Sequence, residues 1–295
     1  MTIVRVEEVT YGVTDLVQCT KFLEDFGLTP LEPEPAGAVF RTATNQIIRL
    51  RDLNDPGLPP AVAEGPCIRQ IIWGVTDAGD LDHIAADLDV TARNPDGTLA
   101  TTDLTGFSIG FRVARPEPVE VARRRINSWG VTERWNDRHG RYERARPLRI
   151  IHVALDIPKA GAAEATRFYI DRLHFKPVED IAPTGTFLQC EGESDHHQLF
   201  LCHRTNRAGI NHVAFEVNDF DEIAEGGNFM TQKGWEEARR LGRHTVGSNV
   251  FRFFTAPMGG RVEYAADMDK VDKSMPTRFW PESPPHHLWV LKGGE

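Results

Sequence analysis

The chain has 295 residues, 40% of them hydrophobic and 26% charged, with a formal net charge of −9 at pH 7. That length exceeds one average domain and sets an expectation of two, each large enough for its own core. The acidic balance argues against nucleic acid as a partner, because phosphate binding needs a basic footprint, and no apolar run is long enough to span a membrane.

The opening MTIVRVEEVTYG has no basic region leading into an apolar one, so no secretory signal is expected. Four cysteines (Cys19, Cys67, Cys190 and Cys202) show no C-x-x-C spacing and fit a reducing compartment. The expectation is a soluble, cytoplasmic protein.

An internal repeat organises the chain. EVTYGVTDL (8–16), QIIWGVTDA (70–78), HVALDIPKA (152–160) and HVAFEVNDF (212–220) each read as a short strand running into a turn. A helical pattern follows each one. TKFLEDFGLTP (20–30) follows the first, with Gly27 placed to end the helix, and DLDHIAADL (80–88) follows the second. TRFYIDRLHFKP (166–177) and DFDEIAEGG (219–227) follow the third and fourth. Alternating runs such as GTFLQCEG (185–192) and HHQLFLCHR (196–204) then read as antiparallel strands.

The unit is a strand, a helix and two or three strands, about sixty residues long and present four times. One unit alone leaves too much apolar sheet exposed, so units pair around a curved sheet. The expected fold is α+β: four βαβββ modules paired into two domains, each a curved mixed sheet flanked by helices. The domains are placed at 1–115 and 149–268, with a linker at 116–148 and a tail at 269–295. The basic stretch 123–149 reads as a solvated linker anchored by Trp and Tyr, and ESPPHHLWVLKGG (282–294) reads as a proline-interrupted, mobile terminus.

Equivalent strand positions hold Glu8 and Gln70 in the first half but His152 and His212 in the second. If both second-half strands lie in one sheet, the two imidazoles point into one cavity. VFRFFTAPMGGRVEY (250–264) reads as two strands around a Pro-x-Gly turn, with Glu263 set inside an otherwise apolar strand. A buried carboxylate is costly unless something compensates its charge. Two imidazoles and one carboxylate are the ligand set that leaves open positions on Fe(II). TGFSIGFRVAR (105–115) has no matching Glu, so the first half is expected to be metal-free. His196 and His197 are adjacent, and alternation lets only one face the cavity; the spacing favours His197. By the same rule Cys202 and His203 make a poor ligand pair. His83 and His174 fall in helical patterns and read as surface residues.

On these residues the chain resembles the vicinal oxygen chelate superfamily, and within it the two-domain type I extradiol dioxygenases. The signature runs from a G-x-H, through an aromatic residue and a Pro-x-Gly turn, to a ligand Glu. Here it is Gly242-Arg243-His244, Phe253, Pro257, Gly259 and Glu263. The resemblance implies Fe(II), with Mn(II) as the alternative, on His152, His212 and Glu263. It implies catalytic roles for His197, beside the O2 site, and His244, hydrogen-bonded to a substrate hydroxyl, and substrate contact at Phe253. The implied partners are a catecholic small molecule and O2, in a homo-oligomer, with cleavage of the aromatic ring beside the diol. The chain departs from the pattern at Arg252-Phe253, where the family has an apolar residue followed by Tyr; Phe cannot donate that hydrogen bond. The competing readings are a glyoxalase- or epimerase-type metalloenzyme and a non-catalytic small-molecule binder of the same superfamily.

Overall fold

The computed structural model describes residues 2–32 and 37–292 of the chain. The first half forms a seven-stranded sheet from β1 (Ile3–Val13), β2 (Thr29–Pro30), β3 (Gly37–Arg41), β4 (Ile47–Asp52), β5 (Cys67–Val75), β6 (Leu99–Thr102) and β7 (Ser108–Val113), in the order β2-β3-β4-β1-β5-β7-β6. The second half forms a ten-stranded sheet. Its strands are β8 (Arg149–Pro158), β9 (Lys176–Ile181), β10 (Gly185–Gln189), β11 (Leu199–Arg204), β12 (Gly209–Glu216), β13 (Glu237–His244), β14 (Val250–Thr255), β15 (Arg261–Ala266), β16 (Arg278–Trp280) and β17 (His287–Val290). Their order is β16-β9-β10-β11-β8-β12-β15-β14-β13-β17.

Helices α1 (Leu16–Phe26), α2 (Ala78–Leu88), α3 (Ala162–Arg167) and α4 (Phe220–Gln232) follow the first strand of each unit. Asp15, Asp77 and Asp219, which end the repeated strands, are the helix N-caps, each accepting the backbone N–H three residues on. The third unit has no such acid; Gly161 starts α3 without a side-chain cap, and the helix runs into a π-helical turn at Phe168–Arg172. Gly27 ends α1 with φ 99°, and a Cβ there would meet the Ala145 carbonyl oxygen, so glycine is required twice over.

Two details differ from the sequence reading. The second unit has two strands after its helix, with a lone bridge from Arg93 to Leu99 where a third would start, because 89–98 is Asp-, Asn- and Pro-rich and lacks apolar alternation. The described part of the expected tail carries two strands: β16 pairs with β9 and β17 with β13, covering both edges of the larger sheet. Two anchors also fail. Trp129 and Trp135 are exposed, and the linker is instead held by Tyr142, whose hydroxyl donates to Asp219 Oδ2 at 2.8 Å beneath the Arg124 guanidinium.

The core is continuous across both halves. Phe26 stacks on Tyr264 at 4.1 Å, and Trp73 meets Phe175 edge-on at 5.1 Å. Buried Gln46 donates to the Val6 and Ile150 carbonyls and accepts from Ile150 N–H, stitching one half to the other. The four cysteines are buried and free. Among the described residues, no helix is long and apolar enough to cross a membrane.

Candidate metal centre

The register of the larger sheet puts the site on one face. β8 and β12 are antiparallel with His152 opposite Ala214, β12 and β15 are parallel with Ala214 beside Glu263, and β14 places Phe253 beside Glu263. Arg239 on β13 continues that row beside Phe253. Because side chains alternate along a strand, His212, two residues before Ala214, shares the face, and Arg261 lies beside it. Ala214, in the middle of the row, carries only a methyl group and leaves space between His152 and Glu263.

Three atoms converge there. His152 Nε2 and His212 Nε2 are 3.0 Å apart, and each is 3.3 Å from Glu263 Oε2. Donors about 2.1 Å from a six-coordinate ion stand roughly 3.0 Å apart when they share a face. Glu263 is fully buried; Asn249 Nδ2 donates to its Oε1 at 3.0 Å, while Oε2 has no hydrogen-bond partner. An orphaned, buried carboxylate oxygen facing two imidazole nitrogens fits a divalent cation and little else. Burial, and then neighbouring His152, holds the His212 imidazole well below the usual histidine range, so it is neutral near pH 7 as a ligand must be.

Among the described residues, the first half has no such arrangement. In its corresponding row Glu8 lies opposite Ile72, and Ile72 beside Gly110. The isoleucine fills the space that Ala214 leaves, and glycine stands where the second half has Glu263. Glu8 is neutralised by Arg49 at 2.8 Å and Arg112 at 2.9 Å.

The triad opens onto a cavity of about 370 Å³, also lined by His197, His244, Phe253, Arg239 and Arg261. The adjacent histidines lie in the irregular segment before β11, which starts only at Leu199, and one of the two lines the cavity. His197 faces the cavity with its ring 4.3 Å from that of His152, while His196 is buried and turns toward Glu179, 3.4 Å from its Oε1. Burial, and then His152, holds His197 well below the usual histidine range. His244 stacks on Phe251 at 4.1 Å and reaches 3.8 Å from Glu263 Oε1. Its Nδ1 lies 3.4 Å from the His286 carbonyl oxygen, leaving Nε2 free to accept. Phe253 packs its ring 5.1 Å from that of His212. Arg252 faces away, donating to Glu237, the Ala224 carbonyl and Asn228. His83 and His174 are exposed, with His174 beyond the π-helical turn at φ 57° rather than in a helix.

Residues not singled out from sequence complete the wall: Asn211, Asn249, Arg239 and Arg261, with Ser283, Pro284, Pro285 and His286 of the former tail closing one side. His244, His286 and His287 also bring nitrogens within 4.8 Å of one another. The Arg239 guanidinium sits 3.5 Å from His286 Nδ1, so a positive charge stands where a second cation would have to bind.

Residues 149–264 match the family model of the Glyoxalase/Bleomycin resistance protein/Dioxygenase superfamily. The match runs from β8 into β15 and takes in His152, His212 and Glu263. Metapyrocatechase 2 of Cupriavidus necator is 32% identical over 139 residues, 47% of this chain and 42% of that protein, so the similarity spans less than half of the relative. Among solved structures, the Mn(II)-bound glyoxalase from Novosphingobium aromaticivorans superposes with a TM-score of 0.74 at 22% identity, covering 96% of this chain and 89% of the other. A 2,3-dioxygenase from Pseudomonas sp. KL28 gives 0.74 at 18%, covering 95% and 98%. Homoprotocatechuate 2,3-dioxygenase from Arthrobacter globiformis gives 0.71 at 21%, covering 95% and 84%. At these identities the likeness shows the fold of the superfamily across nearly the whole chain.

Proposed function

We propose that the protein is an extradiol-type dioxygenase that cleaves a catecholic ring beside its diol and places both atoms of O2 in the product. The observation that carries this reading is the triangle of His152, His212 and Glu263, with its orphaned carboxylate oxygen, in a cavity that also presents His197, His244 and Phe253. The 32% identity to a metapyrocatechase over 139 residues supports it.

Fe(II) held by this triad, or Mn(II) in its place, would supply Lewis acidity toward a chelating diol and a route for electrons from ring to O2. The rest falls to the chain. Phe253 offers an aromatic wall that orients a planar ring. Burial, and then His286, holds His244 well below the usual histidine range, so its free Nε2 accepts a hydrogen bond, or the proton, from a substrate hydroxyl. His197, neutral and out of bulk water beside His152, is placed to give and take a proton on the O2 side. Pro284 and Pro285 narrow solvent entry. One carbon–carbon bond breaks and two carbon–oxygen bonds form, with no external reductant.

The test is oxygen uptake by anaerobically Fe(II)-loaded protein on adding catechols, with His212→Ala as control. Uptake with a new visible absorbance, absent in the control, is expected. The likeness to a Mn(II)-bound glyoxalase favours a second reading, metal-assisted proton transfer. Tight metal binding without oxygen uptake on any catechol would leave that reading in place.

A further inference from the structure

Resting on the dioxygenase reading, we infer that the substrate carries an anionic substituent, a carboxylate on a short arm, and that Arg239 and Arg261 read it. Both line the cavity, and each guanidinium carbon lies 5.2 Å from the centre of the Phe253 ring. The register explains why. Arg239 stands beside Phe253 in the row that holds His152 and Glu263, and Arg261 stands beside His212 in the next. Two cations are therefore built into the wall that an aromatic substrate would lie against.

Neither has an anionic partner among the described residues. Arg239 has only the His286 ring nitrogen at 3.5 Å, and Arg261 donates to the neutral Asn211 Oδ1. The neighbouring arginines are matched. Arg252 is 2.6 Å from Glu237, and Arg204 is 2.8 Å from Asp156. Glu263 lies on the same wall but pairs with neither, its oxygens being turned to Asn249 and the triad. A half-buried, mutually repelling pair of cations is unfavourable until an anion sits between them. Guanidinium groups suit a carboxylate because they can hold it with two parallel hydrogen bonds. The cavity, at about 370 Å³, is at the small end for a ligand site and suits one ring with a short acidic arm.

The experiment compares 3,4-dihydroxyphenylacetate with its uncharged amide, which has nearly the same shape. Binding to the Fe(II)-loaded protein is measured anaerobically by calorimetry, and turnover by oxygen uptake. The wild type should bind the acid about 10- to 100-fold more tightly than the amide, and the same ratio should appear in kcat/KM through KM. Arg239→Met and Arg261→Met should each pull that ratio toward one, whatever happens to the absolute rate, and Arg261→Lys should keep part of it. Circular dichroism and one bound iron per chain establish that each variant is folded and loaded. Equal binding of acid and amide by the wild type overturns the inference even if both are cleaved. Preferential binding of the acid without turnover supports the anion site and overturns the dioxygenase reading instead.

Discussion

Asn211 orients His212 from behind. Its Nδ2 donates to Asp156 Oδ1 at 2.8 Å, which fixes the amide, so its Oδ1 faces His212 Nδ1 at 2.8 Å and that nitrogen must carry the proton. His212 Nε2 is then left as a lone pair aimed at the triad. Asn211→Leu removes the acceptor and leaves the ring free to turn. Mn(II) affinity measured by calorimetry should fall about 10- to 100-fold, with the folded far-ultraviolet spectrum retained. An unchanged affinity would mean that packing alone holds the ring.

Glu263 shows the opposing demands of function and stability. In the metal-free protein its Oε2 is buried without a partner, a cost of about 1–3 kcal/mol. Glu263→Gln keeps the shape and the Asn249 contact while removing the charge. It should abolish metal binding and raise the melting temperature of the metal-free protein by about 2–8 °C. A lower melting temperature would show that the carboxylate is satisfied without metal.

The repeat made the triad legible. One strand position read in four units separates His152 and His212 from Glu8 and Gln70, and the Pro-x-Gly turn fixes Glu263. Arg261 follows from simple alternation, two residues before Glu263 on β15, but Arg239 was not legible, for a geometric reason. Counting by twos from His244 along β13 turns Arg240 inward, but Arg239 pairs with Phe253 and Gly242 with Phe251, so a bulge between them reverses the alternation and brings Arg239 inside. The tail strands were missed because their place is set by backbone pairing along open sheet edges, which needs no apolar alternation in 278–290.

Phe253 lacks the hydroxyl that the resembled enzymes have at this position, but its ring already faces the cavity. Phe253→Tyr supplies a donor at the ring's far end. On the dioxygenase reading it should raise kcat/KM for 4-methylcatechol about fivefold, the worth of one neutral hydrogen bond, and leave Mn(II) affinity unchanged. A fall in rate would mean that the space beside the two guanidiniums is already assigned to the substrate.

Arg149 secures the segment that delivers His197. It pairs with Glu193, Asp195 and Glu216 at once, and Lys270 closes on the other oxygen of Asp195, which is fully buried two residues before His197. Burial pushes the Asp195 carboxyl up, but Arg149 and then Lys270 more than offset it, so its pKa lies below the ordinary value. A carboxyl depressed in this way contributes stability above its unfolded pKa, about 4, which is lost as pH falls through the folded value. Arg149→Met leaves the buried carboxylate half-paired and should cost about 3–5 kcal/mol at pH 7 in urea unfolding. The penalty should shrink between pH 5 and pH 3, because the variant's Asp195 takes up its proton at a higher pH than the wild type's. A penalty that does not vary with pH would assign the loss to the packing of the Arg149 side chain instead of its charge.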